Sequence, residues 1–247
     1  MLRLFRKSLM TGIVTTDYSG EGAIIPEHDQ GFPIRQDKFC QQCGKCAEAC
    51  PQAAIKLEAA AWKGFSWKID LKKCICCGFC IEECPVQALS RGKEDEQAEI
   101  SLDSLLNQAA GKTLRSFQQS VHIRHLDAGS CNGCDWEMTT LTGPVYDIQR
   151  LGFDFVASPR HADVLMVTGP VTRNLRIAVQ KTFQATPAPK LIVAVGTCAC
   201  SGGICGKSYA SAGGVDRVLP VDIYIPGCPP RPQALIQGLM KIREKLE

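Results

Sequence analysis

The sequence predicts two units of different class: an α+β unit over residues 1–95 and an α/β unit with a mostly parallel sheet over residues 121–247, joined by a linker at residues 96–120. Three observations predict this. Cysteines crowd the first stretch in a duplicated spacing, short apolar segments alternate with helical ones in the last, and a charged run separates the two.

The duplication organises the first unit. Cys40, Cys43, Cys46, Cys50 and Pro51 recur as Cys74, Cys77, Cys80, Cys84 and Pro85, with every position offset by the same interval. Residues 62–70, rich in aromatics and imperfectly alternating, predict short strands or a hairpin between the copies. The linker begins with the charged residues 91–97, and Ser101 is placed to cap a short helix through Leu102, Leu105 and Leu106. Gly111-Lys112-Thr113 imitates the end of a phosphate loop, but Leu106 stands where that loop needs glycine. In the second unit, residues 153–157, 164–168, 191–195 and 223–225 read as buried strands, and residues 174–183 and 232–246 as helices. In such a sheet the functional loops lie at the carboxyl ends of the strands.

Cysteine is the abnormal part of the composition: 15 in 247 residues, in a chain whose 45% hydrophobic content excludes intrinsic disorder. No run approaches the ~18 apolar residues of a membrane-spanning helix. Arg3, Arg6 and Lys7 lead only into a short mixed patch and Asp17, which predicts no secretory signal. Thiols in a reducing compartment are read as metal or redox ligands rather than disulfides. Charge is balanced along the chain, with 15 basic and 15 acidic residues in 1–118 and 13 and 10 in 119–247, so no basic block points to nucleic acid.

The C-x2-C-x2-C-x3-C-P run is the bacterial ferredoxin spacing. Its tight loop wraps three thiolates around three iron corners of a cubane and sends the fourth to the other cluster. The spacing therefore predicts one set of Cys40, Cys43, Cys46 and Cys84 and another of Cys74, Cys77, Cys80 and Cys50. Zinc would ordinarily use paired C-x2-C knuckles well separated in sequence. Further on, Cys131-Asn132-Gly133-Cys134, Gly196-Thr197-Cys198-Ala199-Cys200 and Pro226-Gly227-Cys228-Pro229 fall in three loops, each with glycine close to the thiols, where inorganic sulfide needs room. They make a third [4Fe-4S] site plausible, with Cys198 and Cys200 competing for one corner. Cys76 and Cys205 are surplus.

The stretches His125 to Cys134, Ser158 to Asp163, Gly169 to Arg173 and Pro220 to Pro230 resemble the small subunit of group 4 membrane-bound [NiFe] hydrogenases of the formate hydrogenlyase type, itself related to the complex I subunit that holds its terminal cluster. Residues 1–95 resemble the separate dicluster ferredoxin-like subunit of the same complexes, so the chain resembles a fusion of the two. The resemblance implies a ferredoxin-like unit followed by a flavodoxin-like one, and three [4Fe-4S] clusters, the third on Cys131, Cys134, Cys198 and Cys228. The C-x2-C form is the hydrogenase-like one, whereas the complex I relative has adjacent cysteines.

The resemblance further implies an electron-transfer role. The partners would be a nickel-iron large subunit, other iron-sulfur and membrane subunits, and a donor such as ferredoxin or a formate dehydrogenase module. The place would be the cytoplasmic side of the inner membrane. A quinone-reducing or nickel-free complex is the alternative. Glu137 matches an acidic position beside the third cluster and is a candidate proton relay, its plainer role being a cap or surface salt bridge. Arg124, His125, Arg160 and His161 are placed at loop ends, with Arg160 and His125 as candidates for hydrogen bonds that tune the cluster. Leu2, Leu4, Phe5, Leu9 and Met10 against Arg3, Arg6 and Lys7 predict a basic amphipathic stretch suited to a membrane arm or another subunit. A freestanding carrier would leave the surface around Cys131 and Cys228 open, whereas a subunit should show an exposed apolar patch there.

Overall fold

The computed structural model describes residues 2–12, 15, 31–59, 65–92 and 120–244. The linker expectation and its capped helix lie outside the described residues, as does Gly111-Lys112-Thr113.

The first helix, α1 (Leu2–Thr11), is amphipathic, and none of its residues is buried among the described ones. The cysteine repeat then folds as two copies of one plan. Strand β1 (Pro33–Arg35) pairs antiparallel with β4 (Leu89–Arg91), and β2 (Ile55–Ala59) with β3 (Phe65–Ile69). The hairpin expected at residues 62–70 thus takes its first strand further upstream, where Ile55 and Leu57 supply the alternation. Each x3 gap forms one helical turn, α2 (Lys45–Glu48) and α3 (Phe79–Glu82). The copies agree down to single bonds: the Ala54 N–H donates to Cys50 Sγ at 3.3 Å, and the Ala88 N–H to Cys84 Sγ at 3.2 Å. The loops between the thiols are no less alike, since Gln42 and Cys76, two positions past Cys40 and Cys74, both take positive φ near 55°.

The second part is a five-stranded, wholly parallel sheet: β5 (Val121–Asp127), β6 (Phe153–Phe155), β7 (Val164–Thr168), β8 (Leu191–Val195) and β9 (Ile223–Ile225), in the order β6-β5-β7-β8-β9. This is the flavodoxin-like order, whose switch point lies between β5 and β7. The sequence expectation missed β5. Its residues Val-His-Ile-Arg-His-Leu-Asp alternate apolar with charged, and Arg124 and His125 therefore lie within a strand rather than at loop ends.

The two faces of β7 explain the layers. Val164 and Met166 point to one core with Met138 of α4 (Gly133–Thr140) and Leu235, Ile236 and Leu239 of α7 (Pro232–Glu244). Leu165 and Val167 point to the other, with Val179 of α5 (Arg173–Ala185) and Ala199 and Cys200 of α6 (Gly196–Ser201). Period-two alternation between two buried faces leaves no solvent side on β7, which is why the strand reads as a continuous apolar run. The four apolar side chains of β7, at ~1.5–3 kcal/mol each, join many more buried residues on both faces of the sheet, whereas the cysteine repeat has only small cores of its own. Those cores centre on Phe32 and Leu71 and on Ile55 and Leu89.

Candidate iron-sulfur sites

A first cavity is walled by Cys40, Cys43, Cys46 and Cys84, with Leu57, Trp67 and Leu89 behind them, and encloses about 460 Å³ of atom-free space including its mouth. A second, of about 400 Å³, is walled by Cys50, Cys74, Cys77 and Cys80, with Ile55, Ile69 and Ile81. Each cavity thus takes three thiols from one copy of the repeat and one from the other, the exchange that the spacing leads one to expect.

The donor chemistry suits a cationic cluster core. Burial pushes the Cys80 thiol up to about 12, and the neighbouring Cys74, Cys77, Cys50 and Cys46 push the same way. Burial also raises Cys46, while the Trp67 N–H close by offsets part of the rise. Beyond this approach to Cys46 the buried indole nitrogen has no hydrogen-bond partner among the described residues, so it can donate toward sulfur filling the cavity. Crowded, desolvated thiols ionise only when a metal takes up their charge. Among the described residues, no three His, Cys, Asp or Glu side chains converge on a single-ion position. In a cubane each thiolate meets its own iron corner, so convergence on one point is not what that group requires. The residues fit iron-sulfur clusters.

The third grouping lies along the carboxyl edge of the parallel sheet. Cys131 and Cys134 follow β5, Cys198 follows β8 and Cys228 follows β9. Burial raises Cys134 to about 12, and the charges of Cys198, Cys228 and Cys131 add to it; burial likewise raises Cys198 to about 11, with Cys228, Cys205 and Cys131 adding. Glycine makes the approach possible. A Cβ on Gly196, whose φ is +84°, would stand 2.4 Å from Cys134 Sγ, and one on Gly203 would stand 2.9 Å from Cys198 Sγ.

Cys200 is placed differently. It is sealed in the core on the far face, its thiol donating to the Ala194 carbonyl at 3.6 Å, and burial raises its pKa steeply. Cys76 is also buried; its thiol donates toward Cys74 Sγ, which holds Cys74 below the ordinary thiol range and Cys76 above it. Cys205 is exposed.

A polar knot that sequence reasoning missed anchors the first loop of this grouping. Asp135, next to Cys134, takes the Thr168 hydroxyl on Oδ1 at 2.7 Å, with His125 Nε2 at 2.9 Å from the same oxygen, and takes the Ser130 hydroxyl on Oδ2. His125 Nε2 also lies 3.0 Å from the fully buried Thr168 Oγ1. The carboxylate thereby ties the loop to the ends of β5 and β7. The only signal in the sequence was an acid directly after a candidate ligand. Ser158 caps the short turn that carries Arg160 and His161, its Oγ accepting the Arg160 backbone N–H, so the turn is organised by its own cap rather than by the thiols. Glu137 sits half-buried on α4; burial raises its pKa, and the Arg231 guanidinium opposes the rise.

The seam between the two parts is built by these same loops. The Thr197 hydroxyl, buried beside Cys198, donates to the Cys74 carbonyl at 2.8 Å, and the Lys72 ammonium sits 3.4 Å from the centroid of the Tyr224 ring.

A double cysteine repeat that walls two cavities, docked on a parallel sheet with four more thiols along its edge, defines an iron-sulfur electron-transfer subunit of an oxidoreductase. Residues 131–242 match the family described as NADH ubiquinone oxidoreductase, 20 Kd subunit, and residues 39–88 match the 4Fe-4S dicluster domain. The chain belongs to that 20 kDa subunit family and carries the dicluster domain ahead of it. A probable membrane-bound hydrogenase subunit of Pyrococcus furiosus is 44% identical over 128 residues, 52% of this chain and 77% of the relative. An NADH-quinone oxidoreductase subunit of Heliobacterium modesticaldum is 38% identical over 168 residues, 66% of this chain and 90% of the relative. Formate hydrogenlyase subunit 7 of Escherichia coli is 40% identical over 139 residues, 56% of this chain and 54% of the relative.

Proposed function

We propose that the chain carries three [4Fe-4S] clusters and relays electrons to or from a nickel-iron large subunit in a membrane-associated hydrogenase complex of the formate hydrogenlyase type. The clusters, when bound, supply reversible one-electron chemistry. The protein supplies thiolates, N–H donors to sulfur such as those of Ala54 and Ala88, and a fixed spacing between the sites. The ligand sets are Cys40, Cys43, Cys46 and Cys84; Cys74, Cys77, Cys80 and Cys50; and Cys131, Cys134, Cys198 and Cys228. The two units divide as residues 1–95 and 121–247.

The observation that carries the hydrogenase reading is the third grouping, with its C-x2-C pair on the loop after β5. Exposed Trp136, between that pair and Glu137, and exposed Ile204, beside Cys205, give this edge an apolar character that suits a partner subunit. Glu137 lies at the same edge, and burial raises its pKa, the direction a proton relay needs, against the opposing Arg231 guanidinium. No helix among the described residues is long and apolar enough to cross a membrane. In this reading, attachment on the cytoplasmic side runs through partner subunits. The electron donor is a ferredoxin or a formate dehydrogenase module.

The test is elemental analysis of the complex purified anaerobically through a tag on this chain. Nickel near one per copy, with iron exceeding the roughly 12 atoms of three clusters, is the expected result. Iron near that number without nickel moves the function to a quinone-reducing or nickel-free complex, in keeping with the relative from Heliobacterium modesticaldum.

A further inference from the structure

We infer that the Thr197 hydroxyl is the positioning group that couples the second cluster site to the third. This rests on the three-cluster reading above and concerns what joins the sites rather than what fills them.

The seam between the cysteine repeat and the sheet puts one buried hydroxyl among three candidate ligand residues. Thr197 precedes Cys198, and its Oγ1 donates to the carbonyl of Cys74 at 2.8 Å, with the carbonyl of Gly227, the residue before Cys228, at 3.1 Å. Its own N–H donates to the same Gly227 carbonyl at 2.8 Å. Thr197 is 1% exposed, so no water competes for these acceptors. From Cys74 to Cys198 the path is covalent except for one hydrogen bond. Lys72 over the Tyr224 ring joins the same two parts a few residues away.

A repeat that donates electrons across a seam needs a fixed separation, because a loosened seam places the two sites in a spread of positions. The hydroxyl fixes it from the sheet side. With clusters held by Cys74 on one side and by Cys198 and Cys228 on the other, the transfer would be of a single electron, the second site being oxidised as the third is reduced, and Thr197 would keep its proton on its oxygen. A threonine suits the position better than a longer donor, since its branched carbon is rigid and the hydroxyl is held toward both carbonyls.

The experiment uses the intact complex carrying Thr197→Val, which keeps the shape and removes the donor, with Thr197→Ala as a second variant lacking the hydroxyl and Thr197→Ser restoring it. Iron per chain, the spin-spin interaction between the second and third clusters by electron paramagnetic resonance, and hydrogen exchange over residues 70–78 and 196–201 are measured together. Val and Ala are expected to keep all the iron, lose or redistribute the spin-spin interaction, and exchange about tenfold faster or more at the seam, the scale of losing a buried donor from its acceptors. Ser should restore both. Three clusters in the wild type with unchanged interaction and exchange in both variants overturn this inference alone. Loss of the third cluster in the variants also overturns it, because Thr197 would then serve ligand assembly. A wild type with iron for only two clusters overturns the three-cluster reading and this inference with it.

Discussion

At the scale of single residues, the third site is set by what can fit beside sulfur. Gly196→Ala adds a Cβ that would stand 2.4 Å from Cys134 Sγ at a φ of +84°. The variant should lose about four of roughly 12 irons while the signals of the dicluster part persist, read by iron analysis and electron paramagnetic resonance. An unchanged iron count would show that the loop has room to spare. Glu137→Gln keeps the shape of a group whose pKa burial raises, and removes its capacity to take up and release a proton. Proton-coupled turnover should fall by about a hundredfold, the lower scale of general acid-base help, with iron content and reduction of an artificial acceptor unaltered. Equal turnover would leave Glu137 as a helix residue in the field of the Arg231 guanidinium. The sequence left Cys198 and Cys200 as rivals because both follow the same strand. The structure separates them because α6 turns a spacing of two residues through more than half a circle, sending one thiol to the sheet edge and the other into the core. Asp135 escaped notice for a related reason: its three partners come from β5, β7 and the loop between β5 and α4, a convergence that no local spacing encodes.

At the scale of elements, acids clamp the amino ends of the strands. Asp163 Oδ2 accepts the His122 N–H at 2.8 Å, and Asp222 Oδ2 accepts the Ile192 N–H at 2.7 Å, each closing a ladder where a neighbouring strand begins. Burial raises the Asp222 pKa, and the Ile192 N–H offsets part of this. A raised carboxyl contributes stability that is fully present below its unfolded pKa and lost as pH rises through its folded one. For this group, then, the sheet is stronger in mild acid than at neutrality. Asp222→Asn still accepts the N–H but carries no charge, so it should remove that part of the slope and leave the neutral-pH melting temperature equal or higher. Melting curves of both proteins from mildly acidic to neutral pH check this, and parallel slopes would refute it. Strands β7, β8 and β9 were legible in the sequence because their residues are buried on both faces. Strand β5 was not, because His122, Arg124 and His125 serve ladder ends and loop contacts while Val121 and Ile123 fill one core and Leu126 only partly covers the other.

At the scale of the whole molecule, the two parts differ in what holds them. The sheet has layered cores on both faces, while the repeat buries only a handful of large apolar side chains. Against roughly 1–2 kcal/mol of backbone entropy for each residue ordered, the repeat needs its thiolate-iron bonds. Chelating the iron from the full chain should therefore abolish amide protection over residues 31–92 and leave it in β5, β7 and β8, as seen by hydrogen exchange. Protection that survives in the repeat would show that it folds without metal. The fold class of both parts followed from cysteine spacing and strand periodicity. Their docking did not, because Thr197, Lys72 and Tyr224 carry no local pattern and meet only once both parts exist.

The exchange of Cys50 and Cys84 between the two cavities bears on how such a chain can be inherited and made. A ribosome that has released only the first copy has delivered three walls of one box and a single wall of the next, so loading waits for the second copy to emerge. A deletion that removes either copy leaves no complete box behind. The repeat that looks divisible in the sequence is, for synthesis and for descent, a single indivisible part.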